Sequence, residues 1–315
     1  MSKLSIIIPV FHNADTIPAL YKNIAEVVFP SVEDYELIMI DDGSEDSSWE
    51  EMKKIAEYDS RTKLIRLSRN FGSHAAILAG LSQSTGDCAV VKAADMQEPS
   101  DIILEMYDSW KRGNKVVLAV RADREESIFQ KMFANVYYWM MRKFVFSSMP
   151  KGGFDCYLID RQVIDVLTAL DETNSALTLQ ILWSGFRRDM VYYVRKKREN
   201  GKSRWTFAKK MKLIVDSLVS FSFFPVRAVS VIGIIMLFIA IIWSLVLFFY
   251  KVFGNIDVQG WTTLMIIVLL SAGMIMFTLG VLGEYIWRTL DAARNRPVFI
   301  IDEVKNINKE EVHIK

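Results

Sequence analysis

Two acidic stretches, Asp41-Asp42-Gly43-Ser44 and Asp95-Met96-Gln97-Glu98-Pro99, each follow a short apolar run. Carboxylates gathered at one sheet edge can accept the hydrogens of a base and a ribose and can hold a divalent cation against a diphosphate. Neither common glycine-rich phosphate loop is present, so a metal has to neutralise any diphosphate bound there. Taken singly, Asp42-Gly43 also reads as a plain turn, and Asp95 as the start of a loop before a helix. A basic run, Arg195 to Arg204, follows further on. The planar guanidinium fork matches phosphate, which favours Arg198 and Arg204 over the adjacent lysines as specific phosphate ligands. The same run also reads as a patch attracted to lipid headgroups, at about 1 kcal/mol per basic residue. His12, His74 and His313 are too scattered for a metal site. Cys88 and Cys156 read as reduced, half-buried small hydrophobes.

The elements that must position these groups are legible over residues 4–120, where short apolar runs alternate with helix-length periodic stretches. This is the pattern of a mainly parallel sheet covered by helices. Strands are predicted at Ser5–Pro9, Glu36–Asp41, Lys63–Leu67, Asp87–Val91 and Val116–Val120. Helices are predicted at Ala14–Val28, Ser48–Tyr58, Ser73–Ser84 and Pro99–Lys111. Ser47 and Glu50 have capping-box spacing, and Pro99 suits a first helical turn. In open α/β sheets the ligand crevice lies beyond the carboxyl ends of the strands. The second strand ends in Asp41-Asp42, the third leads into Ser68-Arg69-Asn70-Phe71-Gly72, and the fourth leads into Asp95.

Composition adds a second environment. The 315 residues carry 38 Lys plus Arg against 37 Asp plus Glu, which argues against a disordered chain and a general nucleic-acid binder. Charged residues are an ordinary 24%, yet mean hydropathy is +0.20, so the apolar residues must be concentrated somewhere. They are concentrated between Ala228 and Tyr250 and between Gly260 and Gly283, two charge-free runs, each able to cross a bilayer core of about 30 Å. Basic residues precede the first run and follow the second, while the connector between them holds only Lys251 and Asp257 as charges. The positive-inside rule then places both ends in the cytoplasm. The amino terminus has no signal-peptide pattern, so the first domain is expected in the cytosol. Phe207, Met211, Ile214, Leu218 and Phe221 recur every three or four residues and predict an amphipathic helix. It would lie in the inner headgroup plane or pack on its own domain. The tail after Ile301 is polar and is expected to be mobile.

Together these pieces resemble the inverting family-two glycosyltransferases that charge a polyprenyl phosphate with one sugar, such as dolichyl-phosphate mannose synthase and bacterial undecaprenyl-phosphate glucosyltransferases. The matching pieces occur in family order over nearly the whole chain. They are Ile8-Pro9-Val10, Asp41-Asp42-Gly43-Ser44, Ser68-Arg69-Asn70-Phe71-Gly72, Asp95-Met96-Gln97-Glu98-Pro99, Phe154-Asp155, Asp160-Arg161, Gly201-Lys202-Ser203-Arg204, Phe224-Pro225-Val226-Arg227, Gly283-Glu284-Tyr285-Ile286 and Arg296-Pro297. The resemblance implies an α/β, GT-A-like nucleotide-sugar-binding domain with a mainly parallel sheet over residues 1–200. A basic segment and interfacial amphipathic helix follow at 201–227, then two transmembrane helices at 228–283 and a cytoplasmic tail at 284–315.

The resemblance also assigns roles. Pro9, Asp41, Asp42 and Asp95 are expected to bind the nucleotide sugar, and Asp95 with Gln97 to hold Mg2+ or Mn2+. Asp155 is expected near the reacting sugar, and Asp155 and Asp95 are the expected catalytic residues. Arg121, Arg198, Ser203 and Arg204 look like the acceptor-phosphate clamp. One position departs from the family, which usually has an Asp two residues before Asp95. Here that residue is Ala93, preceded by Lys92. The implied enzyme moves one sugar from a nucleotide-diphosphate sugar, with uridine the favoured base, to a polyprenyl phosphate in the cell membrane. The same pieces also suit a processive polysaccharide synthase, or a membrane-tethered binding protein that has lost catalysis. Membrane-facing aromatics are compatible with a homo-oligomer.

Overall fold

The computed structural model describes residues 2–123, 128–170, 172, 176–194, 207–222, 224–253 and 260–306. Its core is built on five strands, β1 (Lys3–Val10), β2 (Asp34–Asp41), β3 (Thr62–Leu67), β4 (Cys88–Val91) and β5 (Val116–Asp123). Four helices connect them, α1 (Ile17–Val27), α2 (Ser48–Tyr58), α3 (Ser73–Ser82) and α4 (Ile102–Lys111). The alternation read from the sequence is therefore present, with ends moved by a few residues. Alternate strand residues face opposite layers. Ile6 and Ile8 join Leu20, Trp49, Met52 and Met106 on one face, while Ile7 joins Ile38, Ile40 and the apolar side of α3 on the other. Cys88 and Cys156 are fully buried in the first of these layers, deeper than the half-burial expected of them.

Two local expectations are corrected. Ser47 makes no capping hydrogen bond, and Asp46 Oδ1 instead accepts the Ser48 N–H at 3.1 Å. The fourth helix begins at Ile102 rather than Pro99, because the Asp101 carboxylate accepts the Ile102 N–H and caps it there.

The second half of the chain adds α5 (Ile128–Phe144), β6 (Phe154–Asp160), α6 (Arg161–Ala169), α7 (Leu177–Trp183) and β7 (Arg188–Val194). The order across the sheet is β7-β5-β6-β4-β1-β2-β3-β8, where β8 is Ile301–Lys305. β6 is antiparallel to both β4 and β5, and β8 is antiparallel to β3. The tail expected to be mobile is thus structured up to Lys305. Phe299 is buried in the core, and Asn306 Nδ2 donates to the carbonyls of Ala56 and Thr62 at 3.0 and 2.8 Å. Edge strands expose unpaired backbone groups, and β8 covers those of β3.

The buried carboxylate of Glu36, near the start of β2, ties β1, β3 and the turn before β4 together. It accepts from Ser5 Oγ at 2.6 Å, Lys63 Nζ at 2.6 Å and the Thr85 N–H at 2.6 Å. Burial opposes its ionisation, but the bonds from Lys63, Ser5 and Thr85 outweigh burial and hold its pKa at about 2, against an ordinary 4.5. A depressed carboxyl stabilises the fold fully above its unfolded value and loses that contribution as pH falls through the folded one. Denaturant melts should therefore weaken between about pH 4.5 and 2. Glu36→Gln should cost about 3 kcal/mol at pH 7, because Lys63 then loses its buried counter-charge, and should flatten that acid limb.

Beyond the sheet, α8 (Phe207–Phe221) leads to α9 (Phe224–Phe253) and α10 (Trp261–Arg294). α8 has protein along one flank. Its Ser217 is fully buried and lies 3.3 Å from the Tyr137 hydroxyl of α5, while Val215 is exposed. The aromatic stretch of α5, residues 137–141, has Met141 in the core and Trp139 half exposed. Arg288 of α10 pairs with Asp216 of α8 at 2.6 Å and with Glu284 at 3.0 Å. α9 and α10 are each long and apolar enough to cross a membrane. Their apolar side chains, Ile235, Phe238, Trp243, Met276 and Phe277 among them, are exposed rather than sunk in a core.

Candidate active site

Four loops meet at the carboxyl ends of β1, β2, β3 and β4. Pro9 sits near the end of β1, and its missing N–H falls on the β4 side, beyond the last β1–β4 pair, Ile7 with Val91. A central-strand proline therefore removes no ladder bond here. His12 follows with φ 55°, and its N–H donates to Ser44 Oγ at 3.0 Å.

At the end of β2, Asp41 is fully buried. Its Oδ1 accepts the Ser44 N–H at 3.0 Å, and its Oδ2 pairs with Arg66 Nε at 3.4 Å. Asp42, also buried, accepts the N–H of Phe71 at 2.7 Å and that of Gly72 at 2.9 Å. Burial pushes the Asp42 carboxyl above its ordinary value, against the pull of those two N–H groups. Asp42 thus welds the β2 loop to the β3 loop, and each of its oxygens keeps a second lone pair for a base or ribose hydrogen. Gly43 between them has φ 67°, and a Cβ there would stand 2.5 Å from the Arg69 carbonyl carbon and 2.7 Å from the Asn70 nitrogen. Only glycine permits this approach.

The β4 loop carries Asp95, whose Oδ1 accepts the Gln97 N–H at 3.2 Å. Between them Met96 has φ 57°, a left-handed conformation in which a side chain is strained. Asp95 and Gln97 offer oxygen donors only, the kind that Mg2+ and Mn2+ prefer. No group of three or more His, Cys, Asp or Glu able to hold a metal occurs among the described residues. The set suits a cation bound by one carboxylate together with substrate phosphates, since Mg2+ is usually held that way rather than in an all-protein cage.

β6 supplies what sequence order conceals. Because it runs antiparallel to β4, its amino end lies at the same sheet edge as the carboxyl end of β4, with Val91 opposite Tyr157. Asp155 therefore emerges beside the Asp95 loop. It is about half exposed and forms an ion pair with Arg121 of β5, whose own side chain is buried. Burial opposes the guanidinium charge, but Tyr138, Tyr193 and Glu98 around it outweigh this and keep Arg121 protonated. Asp95, Asp155 and Arg121 thus stand at one edge of three neighbouring strands, β4, β6 and β5. Asp41 and Asp42 stand further along that edge, with β1 between. Arg198, Ser203 and Arg204 lie outside the described residues.

Sequence reasoning missed the left-handed conformations at His12 and at Met96, the latter without any residue-type signal, and the burial of Lys92 at the end of β4, where it is 1% exposed. Its only signal was the departure at Ala93. A cavity of about 380 Å³ lies behind the Asp95 turn, lined by Leu20, Asn23, Lys92, Met96, Glu98 and Ser100 among others. Asp42, Asp95 and Asp155 do not line it, so it is separate from the carboxylate edge.

The family model for glycosyl transferase family 2 matches residues 5–168, which holds β1 through β6. An uncharacterized glycosyltransferase of Bacillus subtilis, YkcC, is 35% identical over 310 residues, covering 98% of this chain and 96% of that protein. A prophage bactoprenol glucosyl transferase homolog of Escherichia coli is 32% identical over 307 residues, covering 96% of this chain and 99% of that protein. A crystallised mycobacterial protein, 16% identical, shares the fold at a TM-score of 0.50 over 69% of this chain and 74% of its own. With the family match spanning more than half the chain and such relatives nearly all of it, this protein belongs to glycosyl transferase family 2 and is a glycosyltransferase with a GT-A-like fold.

Proposed function

We propose that the protein transfers one sugar, with inversion, from a uridine-diphosphate-linked donor to the phosphate of a membrane polyprenyl phosphate. The observation that carries this reading is the direction of the chain at the site edge. β7 is parallel to β5 and so ends at that edge before the chain passes to α8 and α9. After α10 the chain re-enters through Ile301, opposite Leu67 at the carboxyl end of β3. Both connections to the two apolar helices therefore leave from the edge that carries Asp95 and Asp155. A lipid phosphate in the headgroup layer is the acceptor such a placement suits. Relatives named as bactoprenol glucosyl transferases support the same acceptor class. In this reading α9 and α10 span the membrane, the catalytic domain and both termini are cytoplasmic, and residues 1–200, 201–227, 228–283 and 284–315 are the functional units.

In the reaction a phosphate oxygen of the lipid attacks the anomeric carbon from the face opposite the leaving diphosphate. The new carbon–oxygen bond forms as the donor's bond to its diphosphate breaks. A phosphate is already anionic near neutral pH, so the nucleophile needs placing more than deprotonating. Asp155, exposed at the edge and held by Arg121, stabilises positive charge on the sugar ring as the leaving group departs. Asp42, Asp41 and Pro9 hold the nucleotide end. Asp95 and Gln97 would hold a Mg2+ or Mn2+ ion, which would supply electrostatic stabilisation of the diphosphate as it leaves.

Arg198, Ser203 and Arg204, with Arg121, clamp the acceptor phosphate. Arg204→Ala should raise the KM for polyprenyl phosphate by about tenfold, as expected on losing one charge-assisted hydrogen bond, and leave the donor KM unchanged. Kinetics with the acceptor concentration varied in detergent micelles checks this. The proposal as a whole is tested by incubating the full chain with labelled nucleotide sugars and undecaprenyl phosphate. A chloroform-soluble lipid-linked monosaccharide is the expected product. A long water-soluble polymer with no such lipid overturns the reading in favour of a processive synthase.

A further inference from the structure

The turn that carries Asp95 and Gln97 is strained and lies over a hollow. Met96, at its centre, has φ 57°, and Met96 and Glu98 both line the cavity behind it. A strained backbone persists only where its surroundings over-determine it; Ala94 sits in the core and Met96 packs against it. The turn is also anchored at its two ends through main-chain carbonyls. At one end the Thr16 hydroxyl, just before α1, donates to the Ala94 carbonyl at 2.9 Å. At the other the Lys92 ammonium donates to the Glu98 carbonyl. Beyond that, Ser100 Oγ donates to Asn23 Oδ1 at 2.5 Å, joining the same segment to α1.

Lys92 is an unusual residue for this task. It directly follows β4, its N–H donates to the Ile7 carbonyl at 3.1 Å, and its side chain is 1% exposed. Burying an ammonium is costly unless hydrogen bonds satisfy it, and the bond to Glu98 runs into the turn itself. The neighbouring position, where the resembling family carries a further carboxylate, is Ala93. Asp95 is therefore the carboxylate on which the turn's metal chemistry depends, and its placement matters correspondingly more.

We propose that Lys92 is a positioning residue for donor binding. From beneath, its ammonium and the Thr16 hydroxyl clamp the two ends of the Ala94–Glu98 turn and hold Asp95 and Gln97 in the strained conformation that receives a divalent cation and a nucleoside diphosphate. This inference rests on the metal and donor assignment made under the proposed function.

The test is Mn2+ binding, followed by electron paramagnetic resonance of the full chain in detergent with UDP or GDP present, together with amide hydrogen exchange over residues 94–98 without nucleotide. Lys92→Met and Thr16→Val should each weaken Mn2+ binding by about tenfold, a loss of about 1.4 kcal/mol, and speed exchange in the turn. In turnover, the donor KM should rise while kcat changes much less. Adding Met96→Gly to Lys92→Met should recover most of the Mn2+ affinity, because glycine adopts positive φ without strain. General damage to the fold would not be repaired by that change. Unaltered Mn2+ binding and exchange in both single variants would overturn the clamp while leaving the donor assignment intact. If the wild-type chain binds no Mn2+ with either nucleotide, the donor assignment fails and the clamp with it.

Discussion

Asp95→Ala should abolish sugar transfer to within the detection limit, a loss on the order of 10²–10³-fold or greater, as when a principal electrostatic stabiliser of a leaving group is removed. The reason is local. Asp95 is the only Asp or Glu between Lys92 and Gln97, and no cluster of three metal-binding side chains among the described residues could take its place. The variant should still fractionate with membranes, because α9 and α10 do not depend on the β4 loop. It should also still melt cooperatively, because Asp95 lies in a loop beyond the end of β4 and belongs to neither buried core layer. Measuring lipid-linked product beside membrane sedimentation checks both halves. Near-normal turnover would reject the metal assignment.

Asp155→Asn should lower kcat on the order of 100-fold, within the range for a positioned charged group, with little change in the KM for either substrate. Asparagine keeps an oxygen that accepts from Arg121 but removes the negative charge that the proposed function sets against the sugar ring. The buried Arg121 guanidinium then retains a hydrogen-bond partner, and the fold should survive. Asp155→Leu should be worse for stability, since it leaves a buried cation without that partner. The pH profile separates two roles. If Asp155 stabilises charge on the ring, the residual rate of the Asn variant stays flat as pH is raised. Recovery of rate with rising pH would instead mark Asp155 as a base whose work hydroxide can replace.

The clamp beneath the Asp95 turn places these effects in one frame. The edge is assembled from loops whose shape is set largely by side chains bonding to main-chain groups of other loops. Asp42 bonds to Phe71 and Gly72, Ser44 to His12, Thr16 to Ala94, and Lys92 to Glu98. Buried bonds of this kind are expensive to leave unmade. Conservative changes behind the site should therefore act on binding through loop geometry, without touching either substrate.

The five predicted strands and four predicted helices of residues 4–120 are present because each rests on local information. Periodicity of two or nearly four marks a face to be buried, and that face is the same whatever strand lies beside it. The two charge-free stretches are equally local, since length and composition alone make α9 and α10 long enough to cross a membrane. Asp42 and Asp95 were legible as carboxylates at strand ends for the same reason. Tertiary structure decided the rest. Only the antiparallel insertion of β6 between β4 and β5 brings Asp155 to the edge where the parallel strands end, and only that makes Arg121 its partner. The segment after Ile301 is polar and looks mobile by itself, yet it becomes a strand because β3 offers it unpaired backbone groups. The burial of Lys92 is likewise settled only when the fold brings α1 and the Asp95 turn around it. For Asp155 and for β8 the deciding contact joins residues far apart in the chain, and such a contact leaves no mark on the periodicity of either partner.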